Sequence, residues 1–287
     1  MTSGSPSTAL DLLVVGGVTI DRFADGSSAP GGTAVHVARS AAPRGMRLGV
    51  LTSAGPETEA KHGLAELRDR AAFVESASHA ASPTFRHHET AEGRTLWLER
   101  MGGPVTLRAD DAGRLAARAV LFAPIASEVP VGGLDVWGDG MPRAGILQGW
   151  LRTTGEGVAV SPLPLSTLGD DVVAALAGFD LLVASREDLV ADAVAPEDQL
   201  DALRATFGTR PALVVTNATN GLWIDVDGSR QHVPAPWIVR DAPTVGAGDI
   251  LAAFLIVPHK DPSASWRTRA EDAMRVVAED LEARKRR

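Results

Sequence analysis

The sequence predicts an α/β protein with a mainly parallel central sheet covered by helices, and two observations predict it. Short apolar runs bounded by turn residues recur at Leu12 to Val15, Leu48 to Leu51, Val120 to Ile125, Gly145 to Leu147, Leu181 to Ala184 and Ala212 to Val215. Their length and β-branched content suit strands buried on both faces. Between several of them lie segments apolar at helical spacing, such as Ala60, Leu64 and Leu67, or Val172, Val173 and Leu176. Alternation of this kind builds a parallel sheet whose crossovers are helices.

Two stretches have a period of two instead, the mark of half-exposed antiparallel strands. Thr84 to Arg100 reads TFRHHETAEGRTLWLER, a hairpin turning at Ala91 to Gly93. Paired with a strand in the region 21–30, it would form a small sheet projecting from the main one. The second stretch, GLWIDVDGSRQHVPA, carries an Asp227-Gly228 turn signal and predicts a meander at the main sheet's edge. Apolar residues at Ala270, Ala273, Met274, Val277, Ala278 and Leu281 predict an amphipathic helix. With no repeat or low-complexity linker, residues 1–287 read as one domain.

At 287 residues, 45% hydrophobic and 22% charged, the chain has the composition of a globular protein rather than a disordered one. A net charge of −8 offers no attractive field to a phosphate backbone, and no interior basic stripe argues for nucleic acid. The basic run Arg284 to Arg287 ends a helix, where positive charge complements exposed carbonyls. Without cysteine there is no disulfide, thiolate metal site or cysteine nucleophile. The start, MTSGSPSTAL, lacks the pattern of a signal peptide, and no apolar run approaches the ~20 residues that span a bilayer. A cytoplasmic protein with no membrane partner is the expectation.

The strongest local signal is Pro243-Thr244-Val245-Gly246-Ala247-Gly248-Asp249, followed by the helical pattern Ile250, Leu251, Phe254, Leu255. Glycines just before a helix let unpaired N–H groups converge at its positive end, a site for phosphate charge. An aspartate facing that site can accept a proton from an alcohol while the amides stabilise a transferring phosphoryl group. The plainer reading makes Gly246 to Gly248 a loop and Asp249 a helix cap.

In the N-terminal third, the strand ending at Gly17 leads to Asp21 and then to Gly31-Gly32, which opens a helix near Thr33. Here the sequence resembles the ribokinase-like (PfkB) carbohydrate kinases, which carry an early glycine, an aspartate holding substrate hydroxyls, a Gly-Gly pair and a late Gly-Ala-Gly-Asp. Within them it looks most like the bacterial subgroup related to inositol kinases, through GGTAVHVA, VLTSAGPE, APIASEV, QGWLR and LLVASREDL. The resemblance implies a three-layer α/β/α ribokinase-like fold with a β-lid. It implies an ATP-dependent kinase acting on a hydroxyl of a sugar, polyol or nucleoside, with Asp249 as general base and the backbone of Gly246, Ala247 and Gly248 as anion hole. Asp21, Gly31, Gly32 and His36 would line the acceptor, and the lid would allow a homodimer.

The resemblance further implies a nucleotide turn at Thr216, Ala218 and Gly221, and Mg²⁺ held through water at Glu187 or Asp188. A pair of acids opening a helix, favoured by the helix dipole, is the other reading of Glu187-Asp188. The chain departs from the family pattern at several places. Pro243 replaces the acid that opens the catalytic motif, with Asp241 two residues earlier, against a monovalent-cation site. Ala218 stands in place of a glycine, His36 in place of an asparagine, and Ser185 begins the magnesium element. One helix follows the motif before Arg287, where the family returns an asparagine toward the adenine, so altered nucleotide affinity is expected. These departures support a rival expectation, a catalytically impaired binding or regulatory module. His87-His88-Glu89 offers too few convergent ligands for a metal, since neighbours on a strand face opposite ways. Trp97 and Trp150 are candidates for stacking on a ligand or for ordinary packing.

Overall fold

Apolar alternation organises the molecule into layers. The computed structural model describes residues 9–90, 93–138, 140–153 and 155–286. The first half contains strands β1 (Leu12–Val15), β2 (Thr19–Arg22), β3 (Ser28–Gly31), β4 (Leu48–Ala54), β5 (Phe73–Ser78), β6 (Thr84–Thr90) and β7 (Gly93–Arg100). Its helices are α1 (Thr33–Ala41), α2 (Thr58–Arg70) and the short α3 (Asp111–Arg114). Strands β8 (Val120–Phe122), β9 (Arg143–Ile146), β10 (Val158–Ala159), β11 (Leu181–Ser185), β12 (Ala212–Thr216), β13 (Leu222–Val226) and β14 (Ser229–Val233) follow. Helices α4 (Asp170–Ala177), α5 (Pro196–Phe207), α6 (Ala247–Ile256) and α7 (Trp266–Lys285) complete the described strands and α-helices, with short 3-10 turns between them.

Nine strands form one sheet in the order β14-β13-β12-β11-β9-β8-β1-β4-β5, parallel except for the β12-β13-β14 meander. Each central strand feeds two cores. In β1, Leu12 and Val14 join one cluster while Leu13 and Val15 join the other, and Leu181 and Leu182 of β11 divide the same way. That is the two-sided burial that places helices on both faces of a parallel sheet. Helices α1, α2, α6 and α7 cover one face, and α4 and α5 cover the other. Local chemistry fixes the helix ends. Helix α5 starts with Pro196 and carries Glu197 and Asp198 in its first turn, and Ser265 caps α7 by accepting from the Thr268 N–H at 3.1 Å.

The second sheet, ordered β10-β7-β6-β2-β3, stands beside the first. The hairpin β6-β7 occupies the expected stretch and pairs in parallel with β2, which overlaps the region 21–30 read as its partner only at Asp21 and Arg22; β3, at the other end of that region, pairs with β2 instead. Of its turn, Ala91 and the residue after it lie outside the described residues. The Asp227-Gly228 turn also forms, with φ of 50° and 83°, the left-handed pair of a tight hairpin.

Two expectations need correction, and one strand had no counterpart among them. The run from Val120 stops as a strand at Phe122, ahead of Pro124, which has no N–H for a ladder. Strand β5, half-buried at the sheet edge, was not anticipated, because its FVESAS sequence lacks the apolar continuity of a central strand. Glu187 and Asp188 open no helix: they lie in a turn after β11, and α5 begins only at Pro196. Among the described residues no helix is long and apolar enough to cross a membrane.

Candidate active site

The parallel strands end together on one edge, and the chemistry-bearing residues lie there, as is usual in open α/β sheets. A cavity of about 280 Å³ opens between that edge and the second sheet. Asp21 and His36 line it from the N-terminal third, His87 from the hairpin, Arg152 from the segment after β9, and Asp249 from α6.

Asp249 is not a cap. The N-cap of α6 is Gly246, with φ of 81° and no side-chain cap bond. The Asp249 carboxylate, half-buried, faces the cavity and accepts from Thr33 Oγ1 at 2.8 Å, which ties α6 to the start of α1. Gly246 is required on two counts. Its backbone is left-handed, and a Cβ there would lie 2.3 Å from Cγ of the His36 ring. The Ala247 N–H closes the loop's own turn on the Thr244 carbonyl at 3.0 Å. Among the described residues the N–H groups of Gly246 and Gly248 have no backbone partner, and unpaired amides at a helix start are able to face an anion.

The Gly31-Gly32 pair has an equally steric origin. A Cβ on Gly31 would meet Asp21 Oδ2 at 2.3 Å, and one on Gly32, where φ is 96°, would meet the Gly17 carbonyl oxygen at 2.3 Å. Asp21 itself accepts from His87 Nε2 at 3.0 Å. The period-two expectation for the hairpin holds: His87 is buried on the inner face, while His88 is exposed and meets Trp97 edge-on. Trp97 is thereby outside the cavity. His36 is also buried, and burial holds its imidazole pKa below the usual range, with the Asp249 charge opposing.

Sequence reading gave no role to Arg152 or Gln148, although both lie in the QGWLR segment it quoted. The turn after β9 brings them into the cavity. Arg152 Nη2 donates to Asp188 Oδ1 at 3.3 Å, and the Gln148 amide, oriented by the hydrogen-bond network, accepts from the same guanidinium at 3.1 Å. Burial lowers the Arg152 pKa, opposed first by Asp188 and then by Asp249.

Asp188 is fully engaged, since its Oδ2 accepts from Ser185 N at 3.0 Å and Ser185 Oγ at 2.8 Å. The acid left open to the cavity is Glu187. Among the described residues no group of three or more His, Cys, Asp or Glu side chains could cage a metal.

Thr216, Ala218 and Gly221 line a second cavity, about 230 Å³, with walls of Trp237, Ile238 and Leu251 and of α7 residues Met274, Val277 and Leu281. Ala218 keeps a left-handed φ of 48° despite having a Cβ. The polar and apolar cavities share Thr216, Thr244, Ala247 and Gly248. The glycine-rich start of α6 is thus the wall between them.

No family model and no curated protein matches this sequence. Solved structures do match over nearly the whole chain. A pyrophosphate-dependent kinase in the ribokinase family, complexed with a pyrophosphate analog and myo-inositol, superimposes with a TM-score of 0.75 at 19% identity, covering 94% of this chain and 95% of that one. Adenosine kinase from Sinorhizobium meliloti gives 0.70 at 14% identity, covering 96% and 94%. Arabidopsis thaliana ribokinase complexed with ribose and ATP gives 0.69 at 16% identity, covering 96% and 93%.

Proposed function

The chain has the ribokinase fold, and from that premise we propose that it is a kinase transferring the γ-phosphoryl group of ATP to a hydroxyl of a sugar, polyol or nucleoside. One observation carries the reading: the Asp249 carboxylate lines the polar cavity next to Ala247 and Gly248, which line both cavities, at a glycine-rich helix start whose amides are able to hold phosphate charge.

The acceptor occupies the polar cavity, its hydroxyls donating to Asp21, with Gly32 leaving room beneath them. Asp249 removes the proton from the attacking hydroxyl as its oxygen bonds to the γ-phosphorus. The bond from that phosphorus to the bridging oxygen breaks, and ADP leaves. The amides of Gly246 and Gly248 stabilise charge on the transferring group. The second sheet acts as a lid that keeps water from competing as acceptor.

The aliphatic and Trp237 walls of the second cavity support a nucleobase there, and hence a nucleoside triphosphate donor. The similar inositol kinase is described as pyrophosphate-dependent, and pyrophosphate has no apolar part to fill such a slot. Hydrated Mg²⁺ fits the donor set: it keeps most of its waters and needs only one or two carboxylates besides phosphates, which Glu187 supplies, with Asp188 held back by Arg152. Bound there, it would neutralise phosphate charge. The chain's location is taken as the cytoplasm, where ATP is abundant, with pairing of two copies through the lid as the quaternary proposal.

The engagement of Asp188 by Ser185 and Arg152 favours a second reading, a binding protein of the same fold with impaired turnover. One experiment separates the two. A panel of sugars, inositols and nucleosides is assayed with Mg²⁺ and either ATP or pyrophosphate. The expected result is acceptor-dependent release of ADP, lost by at least ~10²-fold in a folded Asp249→Asn variant. Binding without turnover supports the second reading, and near-normal turnover in Asp249→Asn removes the role assigned to that carboxylate.

A further inference from the structure

Helix-end chemistry explains why a basic residue suits the last turn of α7, but it does not explain where Arg284 reaches. Its Nη1 donates to the Val245 carbonyl at 2.6 Å and to the Pro243 carbonyl at 3.2 Å, both in the loop that runs into α6. Its Nε lies 2.6 Å from Asp280 Oδ2, one turn back along α7. That contact is ionic only, for Asp280 Oδ2 has no hydrogen-bond partner among the described residues. The Arg284 side chain is 20% exposed, so its charge is weakly screened by solvent. A planar guanidinium held on one side by a carboxylate offers its remaining donors in a fixed direction, which an ammonium on a flexible stem does not.

The consequence follows from peptide geometry. No cis peptide occurs among the described residues, and in a trans peptide the carbonyl and the following N–H lie in one plane and point opposite ways. Fixing the Val245 carbonyl toward Arg284 therefore directs the Gly246 N–H away from α7. On the other side of the loop the His36 ring fills the space a Cβ of Gly246 would need. The loop is held between α1 and α7, and neither contact is local in sequence. Helix α6 has no side-chain cap to hold its first turn. Without such support a glycine-rich loop samples many conformations, and amides that wander stabilise an anion poorly.

We infer that Arg284 is a positioning residue for the anion hole: through the carbonyls of Pro243 and Val245 it orients the amides at the start of α6, without touching the substrate. The inference rests on the kinase reading for the word anion, but not for the contact itself.

Two substitutions, Arg284→Ala and Arg284→Lys, test it by steady-state kinetics with ATP and the best acceptor of the panel, and by hydrogen exchange of residues 244–249. In Arg284→Ala, kcat should fall at least about ten-fold while the acceptor KM moves less than about three-fold, the pattern of support lost in the transition state. Arg284→Lys should lie between, and added ethylguanidinium should restore part of the Arg284→Ala rate but none of the Asp249→Asn rate. Amides of residues 244–249 should exchange faster in Arg284→Ala while those of α7 keep their protection. Wild-type kcat in Arg284→Ala overturns the inference. So does a rate loss that ethylguanidinium leaves untouched and that comes with loosening of α7, which would reduce Arg284 to support of its own helix. Should the wild type turn over no acceptor, the kinase reading fails separately, and exchange decides: faster exchange confined to the loop supports the positioning role, and unchanged exchange overturns it.

Discussion

Asp21 meets the hairpin before it meets any substrate, because His87 Nε2 donates to its Oδ1 at 3.0 Å. Under the proposed function an incoming polyol would have to share or replace that bond, and the carboxylate has a second oxygen, facing Gly31, with which to do so. Asp21→Ala should therefore weaken acceptor binding by about 1.5–3 kcal/mol, the range for hydrogen bonds to a charged group. His87→Ala serves as control, because it removes the same pair while leaving the carboxylate. Its loss should be smaller. ATP affinity should hardly change, since Asp21 does not line the apolar cavity. Calorimetry with the identified acceptor would check this, and equal affinity for wild type and Asp21→Ala would mean the acceptor sits elsewhere. Arg152, half-buried in the same cavity, divides its guanidinium between Gln148 and Asp188.

At the scale of elements, the hairpin β6-β7 stands on a small core. Phe85 and Leu98 pack with Ala126 in a cluster separate from the two large ones. Little buried apolar area means little resistance to local opening, so the hairpin should exchange its amides well before the central sheet does. Its inner face presents Phe85, His87 and Leu96 to the cavity, and a bound acceptor would add contacts to that face alone. Amides of β6 and β7 should gain protection as acceptor saturates the protein, with β1 and β11 unaffected. Hydrogen exchange read by mass spectrometry measures both sets at once. A hairpin equally protected with and without acceptor would argue for a fixed wall rather than a lid.

For the whole molecule, His36 couples the site to stability. Burial lowers its folded-state pKa, so as pH falls the unfolded chain takes up the proton first. The stability that depends on a neutral His36 is complete above the unfolded imidazole value, about 6.5, and is lost as pH drops below it toward the folded pKa. Denaturant unfolding between about pH 7.5 and 5.5 should show a steeper loss for wild type than for His36→Asn, which cannot titrate. Parallel slopes would assign the acid sensitivity to other groups. What the sequence by itself determined were the local features: two-faced apolar runs that become central strands, the Asp227-Gly228 turn, and the glycines before α6 and at Gly31-Gly32. Periodicity and turn chemistry act over a few residues, and no distant partner is needed to read them. The tertiary structure alone decided which side chains meet. Asp249 could have capped its helix until α1 brought Thr33 from 216 positions away, and His87 lines the candidate site only because β6 lies beside β2, 66 positions from Asp21. Glu187 and Asp188 would suit the start of a helix, yet Arg152 and Ser185 take Asp188 into a turn. Such pairings depend on strand order and on which face each residue occupies, and a shift of one residue in register would turn His87 outward and His88 inward.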